Sequence, residues 1–168
     1  MGASDCAIVC TSVHHGNTRR LAEAMASILG AVVLEARPDA LEVARTVPML
    51  GLGSGVFFGS HHERLCAFAQ SLPSNGSGRA FLFSTCGSGY EIPRMVGRDY
   101  HRKLRRILAD KGYRIVGEFS CKGYDTYGPL RRLGGIAKGH PNASDFEKAR
   151  RFALDVMSRN DGHPTRRP

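Results

Sequence analysis

Short apolar runs alternate with stretches of helical period along nearly the whole chain, and this alternation limits the fold more than any other feature. Cys6–Cys10, Ala31–Leu34, Pro48–Leu52, Ala80–Phe83 and Arg114–Phe119 are short and rich in Val, Ile, Leu and Phe, as buried parallel strands are. Leu21, Met25, Ile28 and Leu29 recur every three or four residues before Gly30, a residue suited to a helix end. Leu65, Phe68, Ala69 and Leu72 mark a second helix; Tyr100, Leu104, Ile107 and Leu108 mark a third, ending near Lys111–Gly112. Ser144 and Glu147 have the spacing of a capping box, opening a helix that carries Phe146, Ala149, Ala153, Val156 and Met157 on one side. The pattern predicts an α/β three-layer sandwich: a five-stranded parallel sheet with helices on both faces. Residues 1–158 form one domain in this reading, and 159–168 a disordered basic tail.

With 42% hydrophobic residues, the 168-residue chain can bury a core of that kind. No run approaches 18 apolar residues and the first ten lack a basic, then apolar, leader, so the expectation is a cytoplasmic protein without a membrane segment. Five cysteines, an odd number with no C-x-x-C pair, argue against a disulfide framework. The residues six places after Cys6, Cys10, Cys66, Cys86 and Cys121 are Ser12, Gly16, Leu72, Ile92 and Tyr127, none of them the Arg of a phosphatase-type anion loop. No Lys-Ser or Lys-Thr pair exists to complete a nucleotide-binding phosphate loop. The net charge of +9 is concentrated between Arg98 and Arg114, where seven basic residues face two Asp. That basic helix, from Asp99 to Lys111, is either a solvated face or a docking surface for an acidic partner; no nucleic-acid-binding motif accompanies it.

In parallel sheets with crossover helices, ligands bind at the C-terminal ends of the strands, at the point where strand order switches. Three segments there are rich in small and polar residues. Thr11–Thr18, with Ser12, His14, His15, Gly16, Asn17 and Thr18, joins a buried strand to a helix start, where backbone amides and the helix dipole favour an anion. The same residues can also serve simply as helix caps. Gly53–His62 holds Ser54, Gly55, Val56, Phe57, Phe58 and Gly59, three glycines around two aromatics, suited to lying against a flat ligand or to covering a core. Ser84–Gly89, with Ser84, Thr85, Cys86 and Gly87, offers mainly backbone groups. Cys6 and Cys10 read as buried small hydrophobes, and Cys86 as a packing or backbone residue rather than a redox thiol.

A strand, Ser-x-x-His-Gly-Asn-Thr, a helix and two further strand-end loops in this order resemble the flavodoxin family, whose members bind flavin mononucleotide (FMN). The double-His loop, the Cys121–Pro129 segment and Gly134–Pro141 resemble one flavodoxin-like branch in particular. The resemblance implies that Ser12, His14, His15, Gly16, Asn17 and Thr18 surround the flavin phosphate. It places Ser54, Gly55, Val56, Phe57, Phe58 and Gly59 beside the ring, with Ser84, Thr85, Cys86 and Gly87 at its pyrimidine edge; Tyr124 or Tyr127 would close the far side. It implies electron transfer through flavin semiquinone and hydroquinone to a protein redox partner. The chain departs from the pattern in three ways: its phosphate loop is one residue longer than in short-chain flavodoxins, it has no Trp, and it is basic where flavodoxins are typically acidic. Three other readings stay open: a flavin-dependent NAD(P)H quinone or porphyrinogen-type oxidoreductase, a zinc site made from His14, His15, His61, His62 and Cys86, and a flavin-free interaction module.

Overall fold

A computed structural model of the protein describes residues 5–74, 76–87, 99–126 and 134–159. The elements are β1 (Cys6–Thr11), α1 (Asn17–Leu29), β2 (Val32–Glu35), α2 (Ala40–Ala44), β3 (Met49–Phe57), β4 (Ser60–His61), α3 (Glu63–Ser71), β5 (Arg79–Cys86), α4 (Arg102–Asp110), β6 (Arg114–Lys122) and α5 (Ala143–Ser158). The order β2-β1-β3-β5-β6 is parallel throughout, and the two-residue β4 turns back antiparallel on the end of β3. The chain starts near the middle of the sheet, runs out to β2, and returns across β1 to β3. The switch point therefore falls between β1 and β3.

Strand parity divides the apolar residues between two cores. Ala7, Val9, Leu50, Leu52, Ala80 and Leu82 face α2, α3 and α4, meeting Leu65, Phe68, Leu104 and Leu108. Ile8, Cys10, Phe81 and Phe83 face α1 and α5, meeting Leu21, Met25, Ala149 and Val156. The expected α/β sandwich is what forms, with its central strands covered on both faces.

Several boundaries differ from the sequence reading. The third strand does not stop at Leu52 but runs to Phe57, leaving only Phe58 and Gly59 as its turn. Its glycines are strand residues: a Cβ at Gly51 or Gly53 would collide with the ring of Phe81 or Phe83 on the adjacent strand. Glycine here makes room for an aromatic, which a local reading takes for a loop signal. The fourth and fifth strands likewise extend to Cys86 and Lys122. α2, five residues long, is too short to show a period, and neither it nor β4 was expected. The capping box of α5 is built by Asn142 and Asp145, not Ser144 and Glu147: Asp145 N donates to Asn142 Oδ1 at 3.1 Å and Asn142 N to Asp145 Oδ2 at 2.9 Å. The expected tail beyond Arg159, and Tyr127, lie outside the described residues.

Candidate functional site

β1, β3, β5 and β6 end together at one edge of the sheet. A cleft there is lined by His14, Asn17 and Thr18 from the β1–α1 connection and by Gly55–Phe58 from the end of β3. Thr85–Gly87 after β5 and Gly123–Asp125 after β6 complete it. Of the sixteen expected site residues, ten thus line one cleft: His14, Asn17, Thr18, Gly55, Val56, Phe57, Phe58, Thr85, Cys86 and Gly87.

The first loop is held in strained backbone. His15 and Gly16 take φ values of 55° and 66°, in the left-handed region that is costly for a residue with a Cβ. Gly16 is the N-cap of α1 and makes no side-chain cap, so the first-turn amides of the 13-residue helix receive no bond from it. The Ser12 hydroxyl is buried without a protein partner among the described residues. An uncapped helix start beside an unfilled hydroxyl is a cradle for an anion. The Asn17 and Thr18 side chains are already engaged: Asn17 Nδ2 donates to Tyr124 O at 2.8 Å, and Thr18 Oγ1 lies 2.8 Å from Thr85 Oγ1. These two bonds brace the loops against the ends of β5 and β6.

The opposite wall is aromatic. Phe57 packs its ring 6.2 Å from His14 and edge-on, at 5.1 Å, against His62. Phe58 sits at the hairpin tip with φ 50° and 93% exposure. On the far side, His15 Nε2 lies 2.8 Å from Thr126 Oγ1, and the His15 ring is 4.6 Å from Tyr124. Tyr124 was expected, with Tyr127 as the other candidate, to close the far side; Gly123 and Asp125 were not expected, and their signal was the Cys121–Pro129 segment, which lacks the run of small residues seen in the other three.

Six expected residues do not line the cleft. Ser12, His15 and Gly16 belong to the β1–α1 connection whose neighbouring residues line it, and Gly59 lies in a groove with Arg102, Lys103 and Arg106 of α4. Ser54 and Ser84 are fully buried, with their side chains turned the other way. Thr11, Ser54, Ser84 and Ser120 stand in register across β1, β3, β5 and β6 on the face toward α3 and α4. Ser54 Oγ lies 2.9 Å from His61 Nδ1, Ser84 Oγ 2.9 Å from His101 Nε2 and 2.5 Å from Ser120 Oγ. The two imidazoles, 3% and 0% exposed, pack with ring centroids 4.9 Å apart. His101 Nδ1 is 3.3 Å from Glu118 Oε2, and Arg105 joins Glu118 at 2.5 Å to Asp99 at 2.7 Å.

Burial, reinforced by the neighbouring His101, pushes His61 down to about 3, so its ring is neutral at ordinary pH. Burial alone would raise Glu118, but hydrogen bonds from His101 and Arg105 outweigh it and hold the carboxyl at about 2. Burial also lifts the Cys6, Cys10 and Cys121 thiols to about 12, which makes them unreactive; all five cysteines are free. Among the described residues no group of three or more His, Cys, Asp or Glu side chains is placed to hold a metal ion. The paired histidines diverge: His61 enters the core, while the Nδ1 of His62 caps α3 by accepting from Arg64 N at 3.1 Å. Among the described residues no helix is long and apolar enough to cross a membrane.

No family model matches the chain. It is 36% identical over 150 residues to the uncharacterized protein MJ0298 of Methanocaldococcus jannaschii, covering 89% of this chain and 96% of that one. Its fold is similar to oxidised flavodoxin 2 from Bacillus cereus, with a TM-score of 0.67 at 17% identity over 92% of this chain and 98% of that one. A WrbA-like flavodoxin from Agrobacterium tumefaciens is similar at a TM-score of 0.63 and 14% identity, over 95% and 99% of the two chains. The chain thus belongs to the same family as MJ0298, and it has the flavodoxin fold.

Proposed function

We propose that the cleft binds FMN and that the protein carries electrons between protein partners. The observation that carries this reading is the meeting of an uncapped helix start with a slot walled by Phe57 and Tyr124, at the β1/β3 switch point. The residues present fit the group. The α1 amides and the Ser12 hydroxyl would hold the phosphate, Phe57 and Tyr124 would flank the ring, and the Thr85–Gly87 backbone would meet its polar edge. Bound there, the flavin supplies one- and two-electron chemistry. The chain's share is to orient it, to keep water from its inner edge, and to leave its outer edge open beside Phe58. The Thr18–Thr85 and Asn17–Tyr124 hydrogen bonds hold three of the cleft segments at fixed spacing.

Charge supports an acidic partner. Arg102, Lys103 and Arg106 line a groove on α4 with Gly59, Ser60, Asp110 and Asp99, the last paired with Arg105, and the three basic side chains make no salt bridge among the described residues. The partner would therefore dock across α4 and the hairpin tip, beside the open side of the cleft.

The test is a fluorescence titration of FMN with the purified protein. Quenching that saturates at one flavin per chain is expected; FMN fluorescence unchanged at micromolar protein overturns the reading. A second reading, a flavin-dependent oxidoreductase with its own small substrate, is favoured by a cavity of about 400 Å³ behind Phe57 and Phe58, lined also by His14, His62 and Glu63. Steady turnover of NADPH with a quinone would select it over a pure carrier.

A further inference from the structure

The Ser54 hydroxyl has three neighbours and only one proton. It accepts from His62 N at 3.0 Å, lies 2.8 Å from the Gly55 carbonyl oxygen, and lies 2.9 Å from His61 Nδ1. A carbonyl can only accept, whereas Nδ1 can give or take a proton, so all three contacts are hydrogen bonds at once only when the hydroxyl proton goes to Gly55 O. Its two lone pairs are then taken by the His62 N–H and by a proton on His61 Nδ1. That arrangement satisfies every group on Ser54, and it leaves His61 Nε2 as a bare acceptor, buried with no partner among the described residues.

A leucine at position 61 would fill the same core without the orphaned nitrogen. What the imidazole gains is control of Ser54, and through it of Gly55, which lines the cleft. We propose that Ser54 and His61 are positioning residues for the cleft: His61, in its Nδ1–H tautomer, orients the Ser54 hydroxyl so that it ties the Gly55 carbonyl to the core. The same hydroxyl anchors the His62 amide, where β4 passes into α3, so both ends of the Val56–His61 hairpin are pinned at one atom. At His101 the Glu118 carboxylate lies 3.3 Å from Nδ1, and Ser84 Oγ lies 2.9 Å from Nε2. The His61 and His101 rings pack with centroids 4.9 Å apart.

The functional half of this inference rests on the FMN reading; the tautomer does not. Imidazole ¹⁵N NMR of the protein alone should show His61 protonated at Nδ1, and an Nε2–H resonance pattern overturns the proposal. Asn in place of His puts an amide N–H near the position of Nδ1, whereas Gln reaches toward Nε2. Accordingly, Ser54→Ala and His61→Gln should weaken FMN binding about tenfold, the equivalent of one net hydrogen bond, while His61→Asn stays near the wild-type affinity. All three should also be checked for cooperative unfolding. His61→Asn binding as weakly as His61→Gln, or all three binding as wild type, overturns the positioning role. Should the wild type bind no FMN, the flavin reading fails, and the Gly55 carbonyl ¹³C shift decides in its place. It should move in Ser54→Ala and His61→Gln but not in His61→Asn; equal shifts in all three, or none, would sink the idea.

Discussion

The two sides of the sheet's C-terminal edge are made by neighbouring residues on the same strands, yet they do opposite work. Gly55 and Thr85 line an open cleft with strained loops and an aromatic wall. Ser54 and Ser84, one residue earlier on each strand, close a buried layer of hydroxyls under two packed imidazoles. Successive side chains in a strand point to opposite faces, so one polar stretch of sequence is split between a binding surface and a structural joint. Polar composition alone cannot tell the two apart. Parity, and what covers each face, does.

That contrast can be broken or sharpened by experiment. The largest effect should be on acid stability. His61 is held at about 3 against an ordinary 6.5, so in that window the unfolded chain binds more protons than the folded one. The stability this contributes is complete above about pH 6.5 and is lost as pH falls toward 3, by roughly 5 kcal/mol at most. Glu118, held at about 2 against 4.5, adds a loss of the same sign between about pH 4.5 and 2. Denaturant unfolding across pH should show the slope below 6.5 in the wild type and a shallower one in His61→Asn; parallel curves would deny the buried layer this role. Next in size, Ser84→Ala leaves the buried His101 Nε2 without its partner and should cost about 1–3 kcal/mol of unfolding free energy. The smallest effect belongs to the cleft side: Phe58→Ala, at a residue 93% exposed, should change stability by less than about 0.5 kcal/mol. A thermal shift for Phe58→Ala as large as that for Ser84→Ala would erase the distinction between the two sides.

The strand–helix alternation was plain in the sequence because the central strands are buried on both faces, so their runs stand out against polar loops. The end of β3 was not. Gly53 looks like a turn residue until Phe83 is seen across the ladder, filling the space its missing Cβ leaves. The first loop was legible because the Gly and Asn before a helix have a local cause. Tyr124 was harder to assign, since its role comes from Asn17, more than a hundred residues away. His61 and His62 looked like a pair of ligands, and neighbours in sequence became strangers in space once β4 paired with β3.

By itself the sequence determined the layer order, the edge where the loops collect, and the anion-favouring start of α1, because each depends on periodicity or on a helix end a few residues long. Only the tertiary structure decided which polar residues face a ligand and which face each other. That choice is set by strand register and by the helices laid across each face: the β3–β4 hairpin turns His61 back onto Ser54, and the packing of α4 brings His101 to Ser84 and to His61, forty residues away along the chain.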